Sequence, residues 1–153
     1  MTTTLPTPVT PARPPRLRPR IAIVDDDADL LGTAAALLER AGFEVATCLT
    51  TFNRLNFIME QKPDLVLLDV NMPMVTGDEI FRLMQENTRL RDYPVVFFSS
   101  NEEGELRRLV NRTGARGFIS KSEIGSSFAT KVGRILERIK SVPPKAAGSW
   151  PPS

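Results

Sequence analysis

The sequence predicts an α/β fold built on a parallel sheet, and three observations predict it. Five short β-branched or aromatic runs, IAIVD, FEVATCL, DLVLLDV, PVVFFSS and GFIS, alternate with stretches of helical period. Two runs, 65–68 and 95–98, are continuously apolar, as central parallel strands covered on both faces must be. Acidic, hydroxyl and amino side chains sit at the ends of these runs, where open parallel sheets collect their ligand chemistry. Strands alternating with helices imply right-handed crossovers and a layered α/β sandwich.

The spacing predicts helices near 28–41, 52–61, 78–87, 103–113 and 126–141. Leu30, Leu31, Leu37 and Leu38 fall on one side of the first, with Asp29 and Arg40 off it, so that helix has an apolar face to lay on a sheet. The first ends at Ala41-Gly42 and the fourth at Thr113-Gly114, where glycine can adopt the left-handed conformation that closes a helix. Asp27 is expected to cap the first helix, and Thr76, Gly77 and Asp78 to form the turn and cap of the third.

Proline marks both ends of this pattern, giving an extended tail over 1–19, a folded domain over 20–141 and a second Pro-rich tail, holding Trp150, over 142–153. At 153 residues, 41% hydrophobic and 25% charged, the chain suits one globular domain with tails, and no output domain is expected after residue 142. The net charge of +2 hides a split. Arg13, Arg16, Arg18, Arg20 and Lys145 lie in or beside the tails, leaving 15 bases against all 18 acids over 21–142. The excess base belongs to the tails, which argues against nucleic acid as the partner of the folded part. The N-terminal stretch has no apolar core of signal-peptide length, and no run approaches a membrane span. With Cys48 as the single cysteine, a reducing, cytoplasmic setting without membrane contact is the expectation.

The strand ends carry Asp25, Asp26 and Asp27 after the first run, Asp69 closing the third, Ser99 and Ser100 after the fourth, and Lys121 after the fifth. Side by side, these would crowd three or four carboxylates, a hydroxyl and an ammonium into one cleft. Such carboxylates repel unless a cation lies between them, and magnesium is the natural one because it prefers oxygen ligands and keeps several waters. With no histidine and a single cysteine, a nitrogen- or sulfur-ligated zinc or iron site is close to excluded. Phosphoryl transfer needs an in-line oxygen nucleophile and positive charge around the equatorial oxygens. Asp69 could supply the first; the metal, Lys121 and the Ser99 hydroxyl could supply the stabilisation.

In order and spacing, IAIVDDD, LVLLDVNMPMVTG, PVVFFSS and GFISK resemble the blocks of bacterial response-regulator receiver domains, over roughly residues 20–141. The resemblance implies a flavodoxin-like, doubly wound, five-stranded parallel sheet of order 2-1-3-4-5 with five helices, the arrangement of the chemotaxis regulator. It assigns Mg2+ to Asp25, Asp26, Asp69 and the backbone carbonyl of Asn71, the phosphoryl group to Asp69, the switch hydroxyl to Ser99 and the phosphate contact to Lys121. Phe118 falls at the family's switch aromatic. The family receives its phosphoryl group from a sensor histidine kinase or histidine phosphotransfer protein and acts on a downstream target. The readout surface so implied is the fourth helix, fifth strand and fifth helix, with Arg107, Arg108, Asn111 and Phe118 as candidates. Ser122 stands where the family usually has proline, so the loop from Lys121 to Gly125 is expected to take a different shape.

The function expected is therefore a stand-alone phosphoacceptor in two-component signalling, not an enzyme. Two other readings compete. A constitutive interaction module would keep the fold without using the site, with Ser122 as its support. A magnesium-dependent aspartyl phosphohydrolase would typically place a second aspartate two residues after the nucleophile, where this chain has Asn71.

Overall fold

The structure is a computed structural model, and it describes residues 18–49 and 53–141. The expected tails, apart from the last two residues of the first, and the first residue of the predicted second helix lie outside the described residues.

Five strands, β1 (Arg20–Val24), β2 (Glu44–Cys48), β3 (Leu65–Asp69), β4 (Val95–Ser99) and β5 (Gly117–Ser120), form one parallel sheet in the order β2-β1-β3-β4-β5. The helices are α1 (Ala28–Arg40), α2 (Arg54–Gln61), α3 (Gly77–Gln85), α4 (Glu103–Thr113) and α5 (Phe128–Ser141). Every residue of β3 and β4 is buried, as their unbroken apolar runs require. The pleat divides the core in two. Ile21, Ile23, Leu65, Leu67, Val96 and Phe98 pack with Leu31, Ala34 and Leu38 of α1 and Phe128, Val132 and Ile135 of α5. Ala22, Val24, Val66, Leu68, Val95 and Phe97 pack with Ile58 of α2, Ile80, Phe81 and Met84 of α3, and Leu106 and Val110 of α4. Helices on both faces leave the carboxyl ends of β1, β3, β4 and β5 at one rim.

The helix ends follow local chemistry. Gly42 (φ 101°) and Gly114 (φ 85°) are left-handed, and the Gly114 N–H closes α4 on the Val110 carbonyl at 2.9 Å. Asp27 caps α1, its Oδ1 accepting from the Leu30 N–H at 3.1 Å. Asp27→Ala should therefore lower stability by about 1 kcal/mol in urea unfolding, and an unchanged midpoint would show that the cap contributes nothing. Three boundaries lie two residues from expectation: α3 ends at Gln85 rather than near 87, and two helices start late. α2 starts at Arg54, after a left-handed Asn53 (φ 61°), and α5 starts at Phe128 rather than near 126. The stretch before α5 is taken by a single 3-10 turn, Lys121–Glu123, which strand-end reasoning does not anticipate.

Candidate functional site

β1 runs directly into Asp25, which is 1% exposed; β3 ends on Asp69, also 1% exposed, and β4 ends on the fully buried Ser99. Asp25 Oδ1 accepts from the Asp27 N–H at 3.0 Å, in an acidic turn that leaves Asp26 exposed at the rim. Asp69 Oδ1 accepts from the Asn71 N–H at 3.2 Å. From the 3-10 turn after β5, Lys121 reaches back over the rim to place Nζ 2.9 Å from Asp25 Oδ2 and 3.2 Å from Asp69 Oδ1. Its ammonium also stands 5.9 Å from the Phe98 ring centroid. The acidic and basic positions picked from strand ends thus meet in one cleft, with Ser99 at its edge.

Among the described residues, the cleft is short of positive charge. Ligand oxygens of Asp25, Asp26 and Asp69 lie within 4.8 Å of one another, with one ammonium among them. Asp69 Oδ2 is buried and has no hydrogen-bond partner among the described residues. Burial, and then the neighbouring Asp25 charge, push the Asp69 carboxyl up to about 6 against the pull of Lys121 and the Asn71 N–H. Burial likewise raises Asp25 despite its contact with Lys121. Burial alone would lower Lys121, but the two carboxylates outweigh it and hold the ammonium more firmly protonated than usual. Convergent hard oxygen donors, one of them an orphaned buried carboxylate oxygen, fit a divalent cation of the magnesium type.

Around this centre lies a polar clamp that strand-end reasoning misses. Asn71 Nδ2 donates to Ser99 Oγ at 3.3 Å and also to Asn101 Oδ1, while the Asn101 N–H donates to Ser99 Oγ at 3.1 Å. The β3–α3 and β4–α4 loops are joined across the hydroxyl. Asparagine at 71 and 101 is visible in the sequence, but only the fold brings residues 30 apart into contact. Ser100 is exposed beside the clamp.

Gly77 does more than turn the chain. A Cβ there would lie 2.2 Å from the Asp69 carbonyl oxygen and 2.9 Å from Val70 Cα, and the Gly77 N–H donates to the Val70 carbonyl at 2.8 Å. The first turn of α3 is therefore pressed against the backbone that carries Asp69. Gly77→Ala should displace that segment and destabilise the fold by about 1–3 kcal/mol; thermal unfolding indistinguishable from the parent would remove this constraint.

The proposed readout residues occupy the α4–β5 side. Phe118 is buried among the side chains under α4, with the Arg107 guanidinium 5.7 Å from its ring centroid and 2.9 Å from Glu103 Oε2. Arg108 and Asn111 are on α4, both exposed. Phe118 thus faces inward in this structure, and Arg107 lies over it.

The comparisons with known proteins agree with this geometry. The family model described as the response regulator receiver domain matches residues 21–132. The transcriptional regulatory protein PrrA of Mycobacterium tuberculosis is 30% identical over 120 residues, 78% of this chain and 51% of PrrA. Protein RcaC of Microchaete diplosiphon is 29% identical over 84% of this chain but only 20% of its own length. The chain thus spans about half or less of the length of these curated relatives. Among solved structures, the BeF3-activated DrrB receiver domain is 29% identical with a TM-score of 0.66, covering 80% of this chain and 100% of that one. The Vibrio cholerae chemotaxis regulator CheY4, at 22% identity, TM-score 0.69 and coverage of 77% and 98%, shares the fold. No helix among the described residues is long and apolar enough to cross a membrane. With the family model matching most of the chain and the sheet order 2-1-3-4-5 in place, the chain belongs to the response regulator receiver domains of two-component signalling.

Proposed function

We propose that this receiver takes a phosphoryl group onto Asp69, with Mg2+ held by Asp25, Asp26, Asp69 and the Asn71 carbonyl, and that this changes partner binding at the α4-β5-α5 face. The observation that carries the reading is the Asp25–Lys121–Asp69 cluster: a buried carboxylate with one unpartnered oxygen, an acidic cation site beside it, and an ammonium within 3.2 Å. When bound, Mg2+ would neutralise charge on the transferred group. In the transfer, an Asp69 oxygen forms a bond to phosphorus as the bond from phosphorus to the donor's nitrogen or oxygen breaks, and the leaving group keeps that electron pair. Lys121 is placed to follow the negative charge from the carboxylate onto the phosphoryl oxygens. Ser99, released from Asn71 and Asn101, could then donate to the same group, loosening the clamp between the two loops. The donor would be a sensor histidine kinase or histidine phosphotransfer protein, and the target a protein that reads α4, β5 and α5. The structure of DrrB described as BeF3-activated supports a phosphoryl-like ligand as the natural probe.

Intact-mass spectrometry after incubation with acetyl phosphate and Mg2+ tests this. One added hydroxylamine-labile phosphoryl group, absent from Asp69→Asn and from a chelated sample, is expected. No gain, together with no Mg2+-dependent response to beryllofluoride, would sink the reading and favour a receiver fold that binds partners constitutively. Multiple turnover of a phosphate ester would instead revive the phosphohydrolase.

A further inference from the structure

We infer that Glu123 is a positioning residue for Lys121, acting through the backbone of the 3-10 turn and anchored to α5 by Lys131. Lys121 is the first residue of a turn only three residues long, too short to hold itself by repeated backbone bonds. Side chains hold it instead. Ser120 Oγ accepts from the Ser122 N–H at 3.2 Å and lies 2.8 Å from Ser122 Oγ, while Glu123 Oε2 accepts from the Ser120 N–H at 3.3 Å. This reciprocal capping leaves Glu123 Oε1 for Lys131 Nζ, 2.6 Å away on the first turns of α5. The Glu123–Lys131 pair is about one-third exposed on each side, so its worth lies in fixing geometry more than in Coulomb energy.

The consequence falls on Lys121. Its long side chain must arch back to meet Asp25 and Asp69, and the direction of its Cα–Cβ bond is set by the turn that Ser120 and Glu123 close. Residues 120, 122 and 123 therefore do together what no single one does. A turn that opens would let the ammonium leave the cleft for solvent, with two opposite results. The acidic site loses a competing cation and binds Mg2+ more tightly, while phosphoryl transfer loses its equatorial cation and slows. General loosening of the fold would weaken both.

The experiment measures Mg2+ affinity by titration calorimetry and the Asp69 phosphorylation rate at saturating acetyl phosphate and Mg2+, in Glu123→Ala, Glu123→Gln and Lys131→Met. Glu123→Ala is expected to bind Mg2+ severalfold more tightly and to phosphorylate about tenfold more slowly. Glu123→Gln, which retains an oxygen for the Ser120 N–H, should stay within about threefold of the parent rate, and Lys131→Met should resemble it. Mg2+ affinity that falls in Glu123→Ala, or equal rate losses in the Ala and Gln variants, would overturn the inference. The rate measurement rests on the phosphoacceptor reading. If the parent chain takes no phosphoryl group, that reading fails, and the direction of the Mg2+ shift alone decides the role of Glu123.

Discussion

Lys121→Met is expected to slow phosphorylation of Asp69 from acetyl phosphate by about 100-fold or more, the loss usual when a preorganised group facing developing charge is removed. The side chain is 19% exposed and touches both buried carboxylates, so no solvent cation can take over its geometry. Methionine keeps much of the length but carries no charge, removing the ammonium that stands 5.9 Å from the Phe98 ring centroid, which separates electrostatics from packing. Two further signs follow. Without Mg2+, Asp25 and Asp69 would face each other without their cation, pushing the Asp69 carboxyl still higher and destabilising the fold at neutral pH. With Mg2+, the same variant should bind the ion more tightly, because its strongest competitor for the carboxylates is gone. Single-turnover mass spectrometry at saturating Mg2+ reads the rate, and a loss below about threefold would show that Lys121 has no part in the transfer.

Most of this arrangement was legible from residue types at strand ends, for a physical reason. A doubly wound parallel sheet brings every strand's carboxyl end to the same rim, so Asp25, Asp69, Ser99 and Lys121 could be grouped without knowing any distance. The apolar runs of β3 and β4 signalled two-sided burial in the same way. What periodicity could not carry was contact between loops. The Asn71–Asn101 clamp depends on how two connections lie side by side, and the closeness of Gly77 to the Asp69 carbonyl depends on the angle at which α3 leaves the sheet. Two further features run against composition. Met74 has φ 74° and is 89% exposed, a left-handed turn conformation with an apolar side chain in solvent beside the site. Arg54 is 5% exposed, its Nε and Nη2 unpartnered among the described residues, and burial lowers its pKa. Arginine is seldom enclosed in this way, and nothing in its neighbours' pattern announces it.

Asp69→Asn is expected to stabilise the metal-free protein at pH 7 by about 2–3 kcal/mol, and to flatten its dependence on pH. The sign follows from the direction of the shift. In the folded chain Asp69 holds its proton up to about 6, whereas the unfolded carboxyl releases it near 3.8. Between those values the native state binds more protons, so unfolding free energy falls as pH rises through the window and levels off above it. Asp25, also raised by burial, adds to the fall in the same direction. Lys121, raised from 10.5, stays protonated throughout and contributes no slope there. Asparagine resembles the protonated acid in shape and charge, and should remove the Asp69 share of the cost at neutral pH. Urea unfolding of parent and variant in chelator, from about pH 4.5 to about pH 7.5, isolates that share as the difference between two curves. Adding Mg2+ should then stabilise the parent more than the variant, because the ion gains most where the third carboxylate is present. A parent that grows more stable across the window, or a variant that unfolds at lower urea at pH 7, would mean that Asp69 is not held as a costly buried charge. The conformational strain available to a phosphoryl switch would then have to come from elsewhere in the cleft. If the expected difference appears, the carboxylate that weakens the resting fold is the one whose charge a bound cation would offset and phosphoryl transfer would move outward onto the phosphoryl oxygens, coupling chemistry at the rim to the stability of the loops around Ser99.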